Sequence, residues 1–340
     1  MIDEQSRAHC EPRHDTYAVR VPVPDDLSDE TTETTPTEEP EDATASEGSN
    51  APVMLAAFEG WNDAGDAAST AVEHLSLHWD ATELSSIDPD EYYDFQVSRP
   101  TMRLVDGVSR AIDWPTTRLT RCRPPGSAQD LVLVRGIEPN MRWRAFCAEI
   151  IDRARELGVG TVITLGALLA DTPHTRPVPV TGTSFDKASA ARYRLQRSRY
   201  QGPTGIVGVL QDACVQAGIP AISFWAAVPH YVSQPPAPKA TIALLQRVEE
   251  VLDVEVPLGG LPEQAEKWER TVSEMADEDD EVREYVKALE EAGDAETDLE
   301  EASGEEIAAD FERYLRRRGP GGPGDTAGGP PGPGKGPWER

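Results

Sequence analysis

Hydrophobic positions fall into two rhythms along this chain. Val53–Phe58 is an unbroken apolar run, the pattern of a strand covered on both faces. A turn containing Gly60 and Gly65 follows, and then a helix from about Asp66 to Leu77 is expected. Thr82–Ile87 reads as a second strand, Asp130–Arg135 as a third and inner one, Thr161–Leu165 as a fourth, and Ile219–Val228 as a fifth. Between the third and fourth, Phe146, Ile150, Ala154 and Leu157 return at helical spacing, and Gly158 closes that helix. A helix from about Lys239 to Leu252 presents Leu244, Val248, Val251 and Leu252 on one side. Strands alternating with helices of this length predict an α/β fold, with a mostly parallel sheet and helices on both faces. One segment departs from the rhythm. Met102–Trp114 has two extended stretches joined at Asp106-Gly107, residues that accept positive φ, so an inserted β-hairpin is expected there. It suits an oligomer contact.

The flanks differ from this core. Residues 1–50 carry 14 acidic and 3 basic side chains and few large apolar ones, so they are expected to form a disordered acidic arm. The α/β domain spans residues 51–257. An acidic helical module occupies residues 258–318, with Val282, Tyr285, Val286 and Leu289 on one narrow stripe and Ile307, Phe311 and Leu315 on another. Residues 319–340 are a Gly/Pro tail, also expected to be disordered.

Charge narrows the partners. Of the net −29, residues 1–50 hold −11 and residues 274–310 hold −15, which leaves −3 for the rest. Nucleic acid is not expected as a partner, because phosphate binding needs clustered Lys and Arg, and anionic membrane surfaces are disfavoured for the same reason. No run of 18 apolar residues spans a bilayer, and the first residues lack the apolar core of a secretory signal, so a cytoplasmic protein is expected. Cys10, Cys122, Cys147 and Cys214 form no Cys-x-x-Cys pair and are expected as reduced thiols.

In open α/β sheets, ligands sit beyond the carboxyl ends of the strands. Four segments end strands with polar or Gly-rich sequence and are expected to meet at one rim. The first, from Glu59 to Asp66, offers Glu59, Trp61, Asn62 and Asp63, although Asp63 or Asp66 could simply cap the next helix. The second carries Arg135 and Glu138, which could equally be an ion pair. The third, Leu168–Ser184, reads as a Pro-studded loop with His174. The fourth ends in His230, placed for a general base, although lone histidines are more often structural. No G-x-S-x-G, G-x-x-x-x-G-K-[ST] or H-E-x-x-H occurs, so no reaction is fixed, and no cofactor or metal is expected. Gly202, Gly205 and Gly208 precede a helix without forming the dinucleotide fingerprint.

Four of these stretches, taken together, are familiar: FEGWNDAGDAAS, LVLVRGIEPNMRW, LGALLADTPHTRPVPVTGTS, and FWAAVPHYV with PPAPKAT. Over about residues 51–318 the chain resembles the proteasome assembly chaperone 2 family, and within it the actinobacterial branch. The resemblance implies a core like that of purine nucleoside phosphorylases and peptidyl-tRNA hydrolases, an inserted hairpin used in oligomerisation as a trimer, and C-terminal helices that lie over the pocket. It supplies no reaction. Two readings follow: an oligomeric binding or assembly factor with a proteasome-related partner, or a hydrolase or transferase for a small-molecule ligand. In the second, Glu59 or Asp63 would act as acid or base, Trp61 would stack, and Arg135 would clamp an anion.

Overall fold

The computed structural model describes residues 50–296 apart from residues 186, 199, 200 and 233. Cys10, the stripe of Ile307, Phe311 and Leu315, the expected disordered arm up to residue 49 and the expected disordered tail at 319–340 lie outside these residues.

Strand β1 (Val53–Glu59) sits in the middle of an eight-stranded sheet because both of its faces are apolar. Val53, Leu55 and Ala57 enter one core; Met54, Ala56 and Phe58 enter the other. Its parallel neighbours are β6 (Leu131–Ile137) and β7 (Thr161–Ala170), and β10 (Ala221–Pro229) continues parallel beyond β7. Helices α1 (Ala67–His78) and α5 (Pro238–Leu252) cover the first face, and α2 (Trp143–Glu156) and α4 (Ile206–Gln216) cover the second. The fold is therefore α/β with a mostly parallel sheet.

The sheet is wider than the sequence pattern suggests. β2 (Thr82–Ser86) is an exposed edge strand, antiparallel to β5 (Arg118–Cys122), which in turn runs antiparallel to β6. At the other side β8 (Val180–Ser184) pairs antiparallel with β10, and the two-residue β9 (Gln196–Arg197) follows it, with a short α3 (Lys187–Arg192) between them. The expected loop from Leu168 to Ser184 is thus corrected at both ends: β7 runs on through Ala170, and the last five residues form β8. Val-Thr-Gly-Thr-Ser lacks the large apolar residues that mark an inner strand, and Arg-Leu-Thr-Arg-Cys buries only Leu119 and Cys122, so neither run is conspicuous.

The hairpin forms as expected. β3 (Thr101–Val105) and β4 (Ser109–Asp113) make a separate two-stranded sheet, with Asp106 at φ 52° and Gly107 at φ 71° in the turn. In its register Met102 faces Ile112 and Leu104 faces Arg110, so three apolar side chains share one face. That face is open: Leu104 is 64% exposed, and Val108 at the tip 85%. At the base, Trp114 stacks edge-on against Phe95 with ring centres 4.9 Å apart.

After α5, helices α6 (Leu261–Glu278) and α7 (Asp280–Glu296) follow. They bury Leu261, Val272, Ala276 and Val286; of the stripe Val282, Tyr285, Val286 and Leu289 only Val286 is fully buried, the other three being half-buried. Cys122, Cys147 and Cys214 are buried free thiols, and burial pushes each up to about 12. Among the described residues no helix is long and apolar enough to cross a membrane.

Candidate functional site

The carboxyl ends of β1, β6, β7 and β10 open onto a cavity of about 840 Å³, within the usual range of roughly 300–1,000 Å³ for small-ligand sites. Glu59, Trp61 and Asp63 from the first turn and Glu138 after β6 line it, joined by Asp66, Asn140, Leu168, Leu169 and Trp225.

Local hydrogen bonding builds the walls. The Glu138 N–H donates to the Glu59 carbonyl at 2.9 Å, which prolongs the β1–β6 ladder past the strand ends. The Ala167 N–H donates to the Asn62 carbonyl at 2.8 Å, tying the first turn to β7. Asn62 itself is 1% exposed and stands behind the cavity wall. Its Nδ2 donates to Glu138 Oε1 at 2.7 Å, and the Ile206 N–H at the start of α4 donates to the same oxygen at 2.9 Å. Gly205 is needed here because an added Cβ would lie 2.2 Å from Asn62 Oδ1.

Asp63, not Asp66, caps α1. Its Oδ1 accepts from the Ala68 N–H at 2.6 Å and its Oδ2 from the Ser69 N–H at 3.1 Å, whereas Asp66 makes no side-chain cap bond. Burial pushes the Asp63 carboxyl up to about 6, against the lowering effect of those donors. Substituting Asp63 with Ala leaves two buried N–H groups unpaired and is expected to cost about 1 kcal/mol, while Asp63→Asn, which keeps an acceptor and removes the buried charge, costs less. Urea denaturation of the two variants checks that order. A carboxyl raised in the folded state binds protons more tightly there. The stability penalty of ionised Asp63 is therefore relieved as pH falls through about 6, and Asp63→Asn should lose that part of the pH dependence.

Arg135 is not at the cavity. Its guanidinium pairs with Glu59 at 3.0 Å and with Glu73 of α1 at 3.4 Å. Burial raises the Glu59 carboxyl, and Arg135 opposes that rise.

His174 and His230 lie elsewhere again, in a second cluster against α6 and α7. His174 is 3% exposed. Its N–H donates to the Tyr231 hydroxyl at 2.8 Å, and that hydroxyl donates in turn to His174 Nδ1, also at 2.8 Å. Nε2 then carries the ring proton and donates to Ser273 Oγ on α6 at 3.0 Å, and the Ser273 hydroxyl donates to the Glu269 carbonyl at 2.8 Å. Lys239 bonds both the His174 carbonyl, at 2.5 Å, and the Glu269 carboxylate, at 2.6 Å. His230 Nδ1 approaches Asp171 Oδ1 at 2.9 Å, too obliquely for a hydrogen bond, while the Tyr285 hydroxyl of α7 donates to the same oxygen at 2.7 Å. Among the described residues none of α6 or α7 lines the cavity; the two helices close over these histidines.

The His174 ring is held neutral. Burial lowers its pKa below the ordinary 6.5, and the Lys239 ammonium lowers it further, against Glu269, Glu290 and Asp277, which raise it. The unfolded chain takes up a proton that the folded chain refuses, so stability falls as pH drops below about 6.5. Urea midpoints measured across that range should decline on the acid side, and His174→Asn should flatten the decline.

Of the eight residues singled out from the sequence, Glu59, Trp61, Asp63 and Glu138 meet at the cavity, Asn62 and Arg135 brace it, and His174 and His230 join the helices. Trp225, Tyr231, Lys239 and Ser273 had not been singled out. Trp225 was findable: its ring lies where a Cβ on Gly166 would sit, 2.6 Å away, so a glycine on β7 faces a tryptophan on β10.

A family model described as the PAC2 family matches residues 57–276. No curated protein matches the chain. Among solved structures, a PAC2 family protein from Streptomyces avermitilis is 61% identical, covering 69% of this chain and 99% of its own, with a TM-score of 0.66. A proteasome-assembly chaperone homologue from Mycobacterium tuberculosis is 63% identical over 69% of this chain and 99% of its own, with a TM-score of 0.64. An archaeal proteasome activator from Pyrococcus furiosus shares the fold at 17% identity, covering 66% of this chain and 93% of its own, with a TM-score of 0.55.

Proposed function

The chain belongs to the PAC2 family, and on that premise we propose that it is an oligomeric binding and assembly factor whose protein partner is proteasome-related. The observation that carries the reading is the open hairpin face of Met102, Leu104 and Ile112, flanked by Val108 and Trp114. A contiguous apolar surface left in water marks an interaction site. We assign it to contacts between copies of the chain, as a trimer in the cytoplasm. The similarity to the M. tuberculosis protein, named as a proteasome-assembly chaperone homologue, supports the choice of partner. Native co-purification on a tagged full-length chain tests it. A proteasome subunit recovered reproducibly and in near-stoichiometric amount is the expected result; its absence in repeated preparations overturns the reading.

The second reading is a small-molecule enzyme, and the cavity favours it. Asp63 has both oxygens engaged by α1, and Arg135 is held by two glutamates, so Glu59 is the acid–base residue that this reading retains. If Glu59→Gln leaves the response to every ligand in a metabolite thermal-shift screen unchanged, the enzyme reading fails.

A further inference from the structure

The strand-end cavity is chemically one-sided. Its walls hold the carboxylates of Glu59, Asp63, Asp66 and Glu138 and the indoles of Trp61 and Trp225, and among the described residues no Lys, Arg or His lines it. From the volume, the two indoles and an acidic lining without a basic residue among those described, we propose that this cavity binds a small organic cation, an ammonium or guanidinium carried on an apolar or flat body.

Glu59 and Glu138 are half-buried and Asp66 is exposed. They converge in a concavity, and Asp63 is 3% exposed. The protein offsets only part of their charge from within, since both Asp63 oxygens accept from N–H groups of α1. The nearest guanidinium, Arg135, reaches only Glu59 and divides its charge with Glu73 outside the cavity. Glu138 takes both of its hydrogen bonds on Oε1, which leaves Oε2 for a ligand. The Asp66 charge pushes up both the Glu59 and Asp63 carboxyls, secondary to burial in each case. A cation in the cavity relieves that repulsion.

Competing ligands fit less well. A phosphate or carboxylate would meet four acids. A metal ion needs ligating groups drawn close together, and among the described residues no group of three or more His, Cys, Asp or Glu is so placed. Indoles, by contrast, attract an ammonium or guanidinium through their ring faces. Gly166 gives Trp225 room to lie against β7 at the cavity wall.

This inference is independent of the assembly reading, because the hairpin and the cavity are tested by different variants. The experiment titrates the full-length protein with benzyltrimethylammonium, benzylguanidine, benzyl alcohol and benzoate, followed by tryptophan fluorescence and calorimetry. A blocked arginine amide is added to separate a free metabolite from a partner's side chain. Saturable binding of the cations is expected, with benzoate and benzyl alcohol inert. Asp66→Asn and Trp61→Ala are each expected to weaken the cations about tenfold while circular dichroism is unchanged. Glu138→Gln should weaken them too, but because Glu138 also caps α4, the Asp66 and Trp61 variants decide. Binding of the arginine amide alone assigns the cation to a protein side chain, and binding of the benzyl cations assigns it to a small molecule; either supports the proposal. Failure of every cation to saturate, benzoate binding as tightly as the cations, or unchanged affinity in both folded variants overturns it.

Discussion

Replacing Phe58 with alanine is expected to lower the free energy of unfolding by about 3–5 kcal/mol, the usual cost of emptying a fully buried phenylalanine site. Phe58 is 1% exposed and the last fully buried residue of β1. Its ring meets Phe146 of α2 edge-on at 5.7 Å, and Phe146 meets Tyr92 in the same way at 5.3 Å. Three rings from three segments therefore interlock, and no neighbour can slide into the vacancy without breaking a second contact. Because Glu59 and Trp61 follow immediately, the variant should lose order in the first turn of the cavity as well. Urea denaturation measures the first effect. Hydrogen exchange at Asp63 and Ala167, whose main chains are bridged, measures the second. A loss below about 1 kcal/mol would mean that β1 is not the keystone of the second core.

The second large effect concerns association. Placing aspartates at Leu104 and Ile112 puts two charges on the open face of the hairpin while touching neither core. The proposed trimer should then sediment as a single chain, because burying unpaired charge against an apolar surface costs several kcal/mol per contact. The denaturation midpoint measured well below the association concentration should stay within about 0.5 kcal/mol of the parent, as for other exposed substitutions. An unchanged sedimentation coefficient would place self-association elsewhere. The Arg103–Asp113 ion pair at 2.7 Å lies on the opposite hairpin face and survives the change, so the hairpin itself should persist.

Much of this molecule can be read from its pattern, and the exceptions have physical causes. β1, β6, β7 and β10 are legible because each is largely buried on both faces and therefore mostly apolar. The Asp106-Gly107 turn is legible because few other pairs accept two positive φ angles. β5 and β8 are obscured because antiparallel strands away from the centre mix polar and apolar residues without strict alternation. The single rim was half right. Parallel strands do carry Trp61, Glu138 and Trp225 to one cavity. His174 and His230 miss it because strand length matters as well as direction. β7 and β10 stay paired through Ala170 and Pro229, past the leucines and tryptophan that line the cavity, and so deliver the residues after them to the C-terminal helices. Run length near a strand end is poorly marked in sequence, since Leu168, Leu169 and Ala170 suit a strand or an apolar loop equally.

The proton order through Tyr231, His174 and Ser273 also fixes how α6 is dialled about its own axis. Each helical residue turns about 100°, so advancing α6 by one position would swing Ser273 away and offer the imidazole either Val272 or the carboxylate of Glu274. Val272 cannot accept the Nε2 proton, and Glu274 would lose its water to do so. A single hydroxyl thus acts as an index mark: the helix has one seated angle, and a partner that grips α6 must either accept that angle or lift the helix off altogether.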